Sequence, residues 1–347
     1  MMFKKLRPLI FKFSPEIAHS LAIKALKFNY FPNNKLKESS LIETELFGKK
    51  IISPIGVAAG FDKNAEVYNP LFNLGFGFVE VGTITPKGQY GNSKPRVFRL
   101  EEDEALINRL GFNNFGSEEI SSRISQNLPN GILGINIGPN KDTNNRIEDY
   151  LICFRKFFKL GDYLTINISS PNTENLRDFH EQDELEKLLD SIQSEKQKLN
   201  TKIPIAVKIS PDIKNNEIEI LSQIFIKYSV NIIIISNTTD RNRENLKNIN
   251  RLEKGGLSGK PIEKRSNELI NHFYKNIGKK IKIIGVGGVD TGMGAFEKII
   301  NGASLVQLYT GMVYKGPNVA VKISSELIDI LKSKGLKNVT EAIGTKK

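Results

Sequence analysis

The sequence Asp162-Tyr163-Leu164-Thr165-Ile166-Asn167-Ile168-Ser169-Ser170-Pro171-Asn172-Thr173 joins a predicted buried strand to a polar end. The apolar run 163–168 predicts the strand, and Pro171 ends it because proline cannot donate to a sheet ladder. Two amides and two hydroxyls stand together at this end, enough to hold a polar, planar heterocycle by several directional hydrogen bonds. A polar turn with an Asx cap explains the same residues, so this stretch alone leaves both interpretations open.

The run 163–168 is one of a series of short apolar runs, most of them separated by helical patterns. The others are 55–59, 78–82, 132–137, 203–209, 231–235, 281–286 and 304–308. Near-continuous apolar strands that alternate with helices favour a parallel sheet covered on both faces. The eight units therefore predict an α/β fold of the (β/α)8 TIM barrel type. Ahead of them, residues 45–47 and 50–52 flank Gly48 and predict a small hairpin that closes the bottom of the barrel.

Polar and glycine residues follow all eight runs, and in a TIM barrel these strand ends carry the chemistry. Lys208 ends the fifth run, where a buried charge requires an anionic partner. A flavin ring that becomes anionic on reduction would provide that partner. Gly287-Gly288 and Tyr309-Thr310-Gly311 follow runs seven and eight, where barrels commonly bind phosphate, although a bare turn explains the glycines as well. Together the eight ends indicate one extended polar ligand.

The composition, with 39% hydrophobic and 25% charged residues among 347, is typical of a globular protein with a sizeable core. Cys153 is the single cysteine, which excludes an intramolecular disulfide and any multi-cysteine zinc or iron–sulfur site. We expect it in the core, and we expect no metal centre. The net charge of +12 comes from scattered lysines without a nucleic-acid motif, so we expect no nucleic-acid partner. The sequence also predicts no transmembrane helix and no secretory signal.

Residues 1–30 predict two short amphipathic helices with a basic character. Apolar residues recur at helical spacing from Phe3 to Phe13, and Ser14-Pro15 predicts the start of the second helix. Glu16 is the one acid among several lysines and arginines. Such helices can lie on an anionic bilayer or cap a hydrophobic tunnel. Simple packing on the main domain is the alternative, and His19 is expected to be a packing residue rather than a ligand.

Five motifs connect these features to one family. They are Ala58-Ala59-Gly60-Phe61-Asp62-Lys63, Asn108-Arg109-Leu110-Gly111-Phe112-Asn113, Asn167 to Thr173, Gly256-Leu257-Ser258-Gly259 and Tyr309-Thr310-Gly311. In this order they resemble class 2, quinone-dependent dihydroorotate dehydrogenases, and the resemblance covers nearly the whole chain. It implies oxidation of (S)-dihydroorotate to orotate in de novo pyrimidine biosynthesis. FMN would be the bound hydride acceptor, and ubiquinone or another membrane quinone the final acceptor.

The resemblance also implies a domain organisation and a location. Residues 1–40 would form a quinone tunnel that contacts an anionic membrane surface, and residues 41–340 the FMN-binding barrel. The protein would then be a peripheral membrane protein on the cytoplasmic side of the cell membrane. We expect it to be a monomer.

Residue roles follow from the same resemblance. The implied FMN contacts are Ala59, Gly60, Phe61, Asp62, Lys63, Thr83, Asn136, Asn167, Lys208, Ser236, Gly259, Gly288, Tyr309 and Thr310. The implied dihydroorotate shell is Lys63, Asn108, Arg109, Leu110, Gly111, Phe112, Asn167, Asn172, Asn237 and Thr238. Ser170 is the implied catalytic base, and His19 and Arg99 are implied to lie near the quinone. The chain departs from the family's common pattern at Glu174-Asn175, where many relatives carry Pro-Gly, and at Ser236, where threonine is common.

The implied reaction removes a proton from C5 of dihydroorotate while a hydride leaves C6. Serine is a weak base, so Ser170 needs a relay, for which Thr173 and a water near Phe112 are candidates.

Three alternatives to this family differ in their predictions. Class 1 enzymes and flavin-dependent tRNA dihydrouridine synthases use a catalytic cysteine, for which Cys153, ahead of the fourth strand, offers no match. A non-catalytic membrane-bound flavin- or phosphate-binding module would lack turnover.

Overall fold

The computed structural model describes residues 2–31, 36, 39–173 and 176–346. The helices in chain order are α1 (Met2–Ile10), α2 (Pro15–Lys27), α3 (Tyr68–Asn73), α4 (Ser117–Gln126), α5 (Arg146–Phe157), α6 (Gln182–Lys198), α7 (Glu217–Lys227), α8 (Glu263–Ile277), α9 (Gly292–Ile300), α10 (Thr310–Lys315) and α11 (Val319–Ser333). The strands are β1 (Thr44–Leu46), β2 (Lys49–Ile51), β3 (Ile55–Val57), β4 (Phe78–Ile84), β5 (Lys87–Gln89), β6 (Val97–Leu100), β7 (Ala105–Asn108), β8 (Asn114–Gly116), β9 (Ile132–Ile137), β10 (Tyr163–Asn167), β11 (Ile205–Ile209), β12 (Ile232–Ile235), β13 (Gly256–Gly259), β14 (Lys282–Val286) and β15 (Leu305–Leu308).

The predicted barrel is confirmed. Strands β3, β4, β9, β10, β11, β12, β14 and β15 form a closed barrel in that order, with β15 pairing back to β3. Neighbouring strands pair in parallel, for example Asn167 of β10 opposite Lys208 of β11. Each of the eight apolar runs therefore supplies one barrel strand. Because the C-terminal ends of parallel strands meet at one rim, the polar residues that follow them are brought together there.

Side chains alternate between the barrel interior and the helix-covered outer face. The interior cluster contains Phe78, Tyr163, Ala206 and Ile232, while the intervening residues of the same strands pack against the surrounding helices. The β1–β2 hairpin adds Leu46 and other residues to the interior cluster, so the predicted closing hairpin is confirmed. The core therefore fills the lower part of the barrel and leaves the polar rim for the site.

Two small sheets lie outside the barrel and were not predicted. Strands β6, β7 and β13 form an antiparallel sheet, in which Ser258 of β13 pairs with Leu106 of β7, and β5 pairs with β8. The three-stranded sheet contains two of the five sequence motifs, residues 108–113 in part and Gly256–Gly259. Thr239, just beyond β12, bridges to Leu257, so this sheet is attached to the rim of the barrel.

The two predicted N-terminal helices are present as α1 and α2. An ion pair between Arg96 and Glu16 at 2.9 Å fixes α2 to the barrel domain, with the arginine side chain almost fully buried. Leu26 is the buried residue of α2, whereas Ile17 and Leu21 remain about half exposed. Among the helices that the structure describes, none is long and apolar enough to cross a membrane.

Candidate active site

A continuous row of polar side chains crosses the rim from β4 to β12. Asn136 accepts a hydrogen bond from the Thr83 hydroxyl at 2.7 Å, and Thr83 accepts one from the amide of Asn167 at 2.9 Å. Asn167 in turn accepts from the hydroxyl of Ser169 at 2.8 Å, and Ser169 accepts from the amide of Asn237 at 2.9 Å. Asn136 and Ser169 are fully buried, and Thr83 and Asn167 are nearly so. We call these five side chains the amide row.

The loop after β10 places Ser170 beside this row. The Ser170 hydroxyl is buried and accepts a hydrogen bond from the backbone N–H of Asn172 at 3.2 Å. The side-chain amide of Asn172 donates to Asn108 at 3.3 Å, which connects the loop to the three-stranded sheet. Residues 174 and 175, where the chain departs from the family pattern, lie outside the described residues.

Two lysines place positive charge at the rim. Lys208, near the end of β11, is 5% exposed, and its side-chain ammonium group has no hydrogen-bond or ion-pair partner among the residues the structure describes. Burial lowers the pKa of Lys208, and the carboxylate of Glu80 opposes this effect. Lys63 donates to the carbonyl of Gly60 at 2.7 Å, and burial lowers its pKa to about 8. Cations held in this way are available to an anionic or electron-rich ligand.

The glycine-rich part of the rim is closely packed. At Gly259, φ is +97°, and a Cβ atom would lie 2.4 Å from the carbonyl oxygen of Glu104. Ser258 and Thr310 share a hydrogen bond of 2.9 Å across this region. One cavity there is lined by a large part of the predicted set, namely Ala59, Asn108, Lys208, Ser236, Asn237, Thr238, Gly259, Gly288, Tyr309 and Thr310.

The Gly60–Lys63 turn connects this rim to the N-terminal helices. The ring of Phe61 contacts Tyr309 edge-on at 5.8 Å and His19 of α2 at 5.3 Å. Burial and the charge of Lys63 lower the pKa of His19 to about 3, so its imidazole is neutral near pH 7. Both carboxylate oxygens of Asp62 accept backbone N–H groups, from Glu66 and Val67, at 2.7 Å. Asp62 therefore holds the turn with its side chain.

Residues 109–112, predicted as part of the substrate shell, differ in their contacts. The guanidinium of Arg109 is directed to Glu253 at 2.7 Å and stacks over Phe98, so it is already paired. The carbonyls of Gly111 and Phe112 accept from Gln89, and that of Leu110 accepts from Asn92. The side chains of Phe112 and Thr83 both lie next to Gly138, at the end of β9.

Arg99 of β6 lies against the connection between α1 and α2. It donates to the carbonyls of Phe11 at 3.2 Å and Phe13 at 2.8 Å, and its guanidinium lies 4.5 Å from the ring centre of Phe11. Phe11 also contacts Tyr314 edge-on at 5.6 Å. His19 thus contacts the barrel domain from α2, and Arg99 contacts the connection between α1 and α2 from the barrel domain.

Some side chains near the site were missed from the sequence. Glu80, Tyr163 and Gln307 meet inside the barrel directly below the amide row, and each is fully buried. No local signal identifies them, because they come from strands that are distant in sequence. Cys153 lies in α5 behind the barrel wall, with its sulfur 3.8 Å from the carbonyl of Ile84, and burial raises its pKa. The rim therefore does not use a cysteine base.

Comparisons with known proteins agree with this geometry. The family model described as dihydroorotate dehydrogenase matches residues 41–331. The chain belongs to the dihydroorotate dehydrogenase family. Relatives named dihydroorotate dehydrogenase (quinone) include those of Bartonella tribocorum, 44% identical over 96% of this chain and 94% of the relative, and Christiangramia forsetii, 44% identical over 94% and 99%. A crystal structure of the dihydroorotate dehydrogenase of Eimeria tenella in complex with ferulenol has a TM-score of 0.92 and 37% identity, covering 95% of both chains.

The comparisons confirm the resemblance inferred from the five motifs. The matches to the quinone-type dihydroorotate dehydrogenases span well over nine tenths of each chain. The family assignment also disfavours the tRNA dihydrouridine synthase alternative, in agreement with the buried position of Cys153.

Proposed function

We propose that this protein oxidises dihydroorotate to orotate and passes the electrons to a membrane quinone, as an FMN-dependent enzyme of pyrimidine biosynthesis. The observation that carries the proposal is the row of amides and hydroxyls at the barrel rim, flanked by Lys208 and Ser170 and joined to the N-terminal helices through Phe61 and His19. Membership of the family and relatives named as the quinone-type enzyme support it.

The residues present suit FMN. A buried ammonium group that has no hydrogen-bond or ion-pair partner among the described residues suits a ring system that gains negative charge on reduction. A row of fixed amides suits the polar edge of that ring. When bound, FMN accepts the hydride from dihydroorotate and delivers the electrons to the quinone. We assign to it the predicted contacts Ala59, Gly60, Phe61, Asp62, Lys63, Thr83, Asn136, Asn167, Lys208, Ser236, Gly259, Gly288, Tyr309 and Thr310.

We assign proton abstraction from C5 of the substrate to Ser170. Its oxygen already accepts the backbone N–H of Asn172, and this donor stabilises negative charge as the proton is transferred. Loss of the serine proton requires a relay, for which we propose Thr173, three residues further along the loop. Asparagine side chains at 108, 167, 172 and 237 donate to the pyrimidine carbonyls and stabilise developing enolate charge. The proposed shell is completed by Lys63, Arg109, Leu110, Gly111, Phe112 and Thr238. Arg109 acts through its backbone, because its guanidinium is paired with Glu253.

We assign residues 1–40 to quinone entry and peripheral membrane contact, and 41–340 to the catalytic barrel. In α1 and α2, apolar side chains such as Leu9, at 57% exposure, stand among lysines and arginines. Such a surface suits the boundary of an anionic bilayer. Arg99 and His19 are the proposed residues near the quinone. The protein is proposed to lie on the cytoplasmic side as a monomer.

An anaerobic titration tests the whole assignment. The purified protein is examined for a visible flavin band, dihydroorotate is added, and quinone follows. We expect dihydroorotate to bleach the band and quinone to restore it. If only a soluble acceptor restores the band, the quinone half of the proposal is wrong, and if the bound flavin stays oxidised, the substrate is wrong.

A further inference from the structure

A carboxylate is buried inside the barrel, directly below the amide row. Glu80 is the third residue of β4 and has no solvent exposure. It shares the interior face with Phe78, two residues earlier, because side chains alternate along a strand. A buried carboxylate is costly unless every oxygen has a partner. Here one oxygen accepts from Asn136 at 2.8 Å, and the other from Tyr163 at 3.0 Å and Gln307 at 3.1 Å.

An ionised carboxylate can only accept hydrogen bonds, and this restricts its neighbour. The NH2 group of Asn136 must face Glu80, so its carbonyl oxygen must face Thr83. Thr83 then uses its single proton on Asn136 and can only accept from Asn167, as observed. The donor and acceptor order at the start of the amide row thus follows from the acceptor role of both Glu80 oxygens.

The far end of the row has separate anchors. Asn167 accepts the backbone N–H of Ser169 at 3.3 Å, and Asn237 accepts that of Thr238 at 2.7 Å. These backbone donors fix the orientation of both amides without help from Glu80. Asn136 has no such backbone donor, since its side-chain partners are Glu80 and Thr83 alone among the described residues. Glu80 therefore determines the orientation of the Asn136 amide and of the Thr83 hydroxyl.

We propose that Glu80 is a positioning residue for the flavin site, which it acts on by fixing the orientation of the Asn136 amide and, through it, the Thr83 hydroxyl. This inference rests on the proposed function, in which both side chains contact FMN. The electrostatic effect of Glu80 on Lys208 adds to it, because the same carboxylate helps to keep that buried ammonium charged.

The substitution Glu80→Gln changes the orientation of the Asn136 amide but keeps the shape of the side chain at position 80. A glutamine whose oxygen keeps the hydrogen bonds from Tyr163 and Gln307 presents its NH2 group to Asn136. Asn136 must then turn its oxygen towards residue 80 and its NH2 group towards Thr83. Thr83, which now faces NH2 groups from both Asn136 and Asn167, loses the acceptor for its own proton. The fold keeps its packing, while the flavin site has one amide reversed.

Tyr163→Phe provides the matched control. It removes one hydrogen bond from the same carboxylate but leaves the contact to Asn136 unchanged, and Tyr163 has no role in the proposed binding set. We expect Glu80→Gln to weaken FMN binding by the flavin-free protein by about tenfold or more, as for a loss of one or two hydrogen bonds. Its melting temperature without flavin should fall, because the buried Thr83 hydroxyl loses its acceptor. Tyr163→Phe should also lower the melting temperature but leave FMN affinity within about twofold of the parent.

FMN affinity is measured by quenching of flavin fluorescence, with melting followed by circular dichroism. Equal FMN affinity of the parent and Glu80→Gln would overturn the inference, as would an equal loss of affinity in Tyr163→Phe. If the parent itself does not bind FMN, the proposed function fails instead. Neutron diffraction of the deuterated parent holoenzyme tests the same point without a variant. It should show no deuteron on Glu80 and a ND2 group of Asn136 directed to it, and a deuterated Glu80 would overturn the inference.

Discussion

Lys298 allows a quantitative test of how burial lowers the pKa of a lysine in this fold. The residue belongs to α9, is fully buried, and donates from its ammonium group to Ser266 and Asn267, both at 2.9 Å. Burial lowers the pKa of Lys298 from 10.5 to about 7, with a smaller opposing effect from the carboxylate of Glu263. At about 1.4 kcal/mol for each tenfold change in proton affinity, this disfavours the charged folded form by roughly 5 kcal/mol.

The sign of the pH dependence follows from the two states. Below pH 7 Lys298 is protonated in both the folded and the unfolded protein, and the full cost of burial is present. Between pH 7 and 10.5 the unfolded chain keeps the proton that the folded protein has released, so the contribution of Lys298 to the free energy of unfolding rises with pH. From pH 6 to pH 9 the rise amounts to about 3 kcal/mol.

Lys298→Met removes this titration while keeping the length of the side chain. The variant should gain stability over the parent, and the gain at pH 6 should exceed the gain at pH 9 by about 3 kcal/mol. Urea unfolding followed by circular dichroism at both pH values measures it, with Lys279→Met, at an exposed position, as the control. An equal difference at pH 6 and pH 9 would show that Lys298 keeps its proton in the folded state, and would refute the reasoning.

Three further predictions concern function. Ser170→Ala should slow flavin reduction by dihydroorotate by orders of magnitude while orotate still binds, and near-normal reduction in stopped-flow absorbance would exclude Ser170 as the base. Arg96→Ala leaves Glu16 without its partner and should cost about 3 kcal/mol in stability. It should lower turnover with quinone more than with a soluble acceptor, and equal losses would contradict a role for α2 in quinone entry. Replacing Leu9 and Leu21 by serine should weaken sedimentation with anionic vesicles severalfold without changing flavin reduction, and unchanged sedimentation would contradict membrane contact through this face.

The barrel could be predicted because each of its strands is marked by a local pattern in the sequence. Each strand is buried on both faces, so an apolar run marks it directly, and the polar residues at its end mark the rim. Asn136, Asn167 and Lys208 were found in this way, and the structure brings them together.

The small sheets and the buried carboxylate depend on contacts between distant parts of the chain. Ser258 pairs with Leu106 across about 150 residues, and three-residue or four-residue strands of mixed polarity carry no periodic signal of their own. Glu80 is a single acid in an apolar run, and only the closed barrel shows that Tyr163 and Gln307 satisfy it. The polar end of a strand thus pointed to Asn136, but not to the residue that orients it.

The attachment of α1 and α2 supports their proposed role by a separate argument. Polar contacts help to hold them to the barrel domain, with Arg96 paired to Glu16 and Arg99 bound to the carbonyls of Phe11 and Phe13. Helices that serve only to complete a core bury their apolar side, because this burial supplies most of their stability. Here α2 buries Leu26 and leaves other apolar side chains exposed, at a cost in water that a bilayer or a quinone would remove. The segment is thus attached in a way that leaves apolar side chains such as Ile17 and Leu21 free for such a partner.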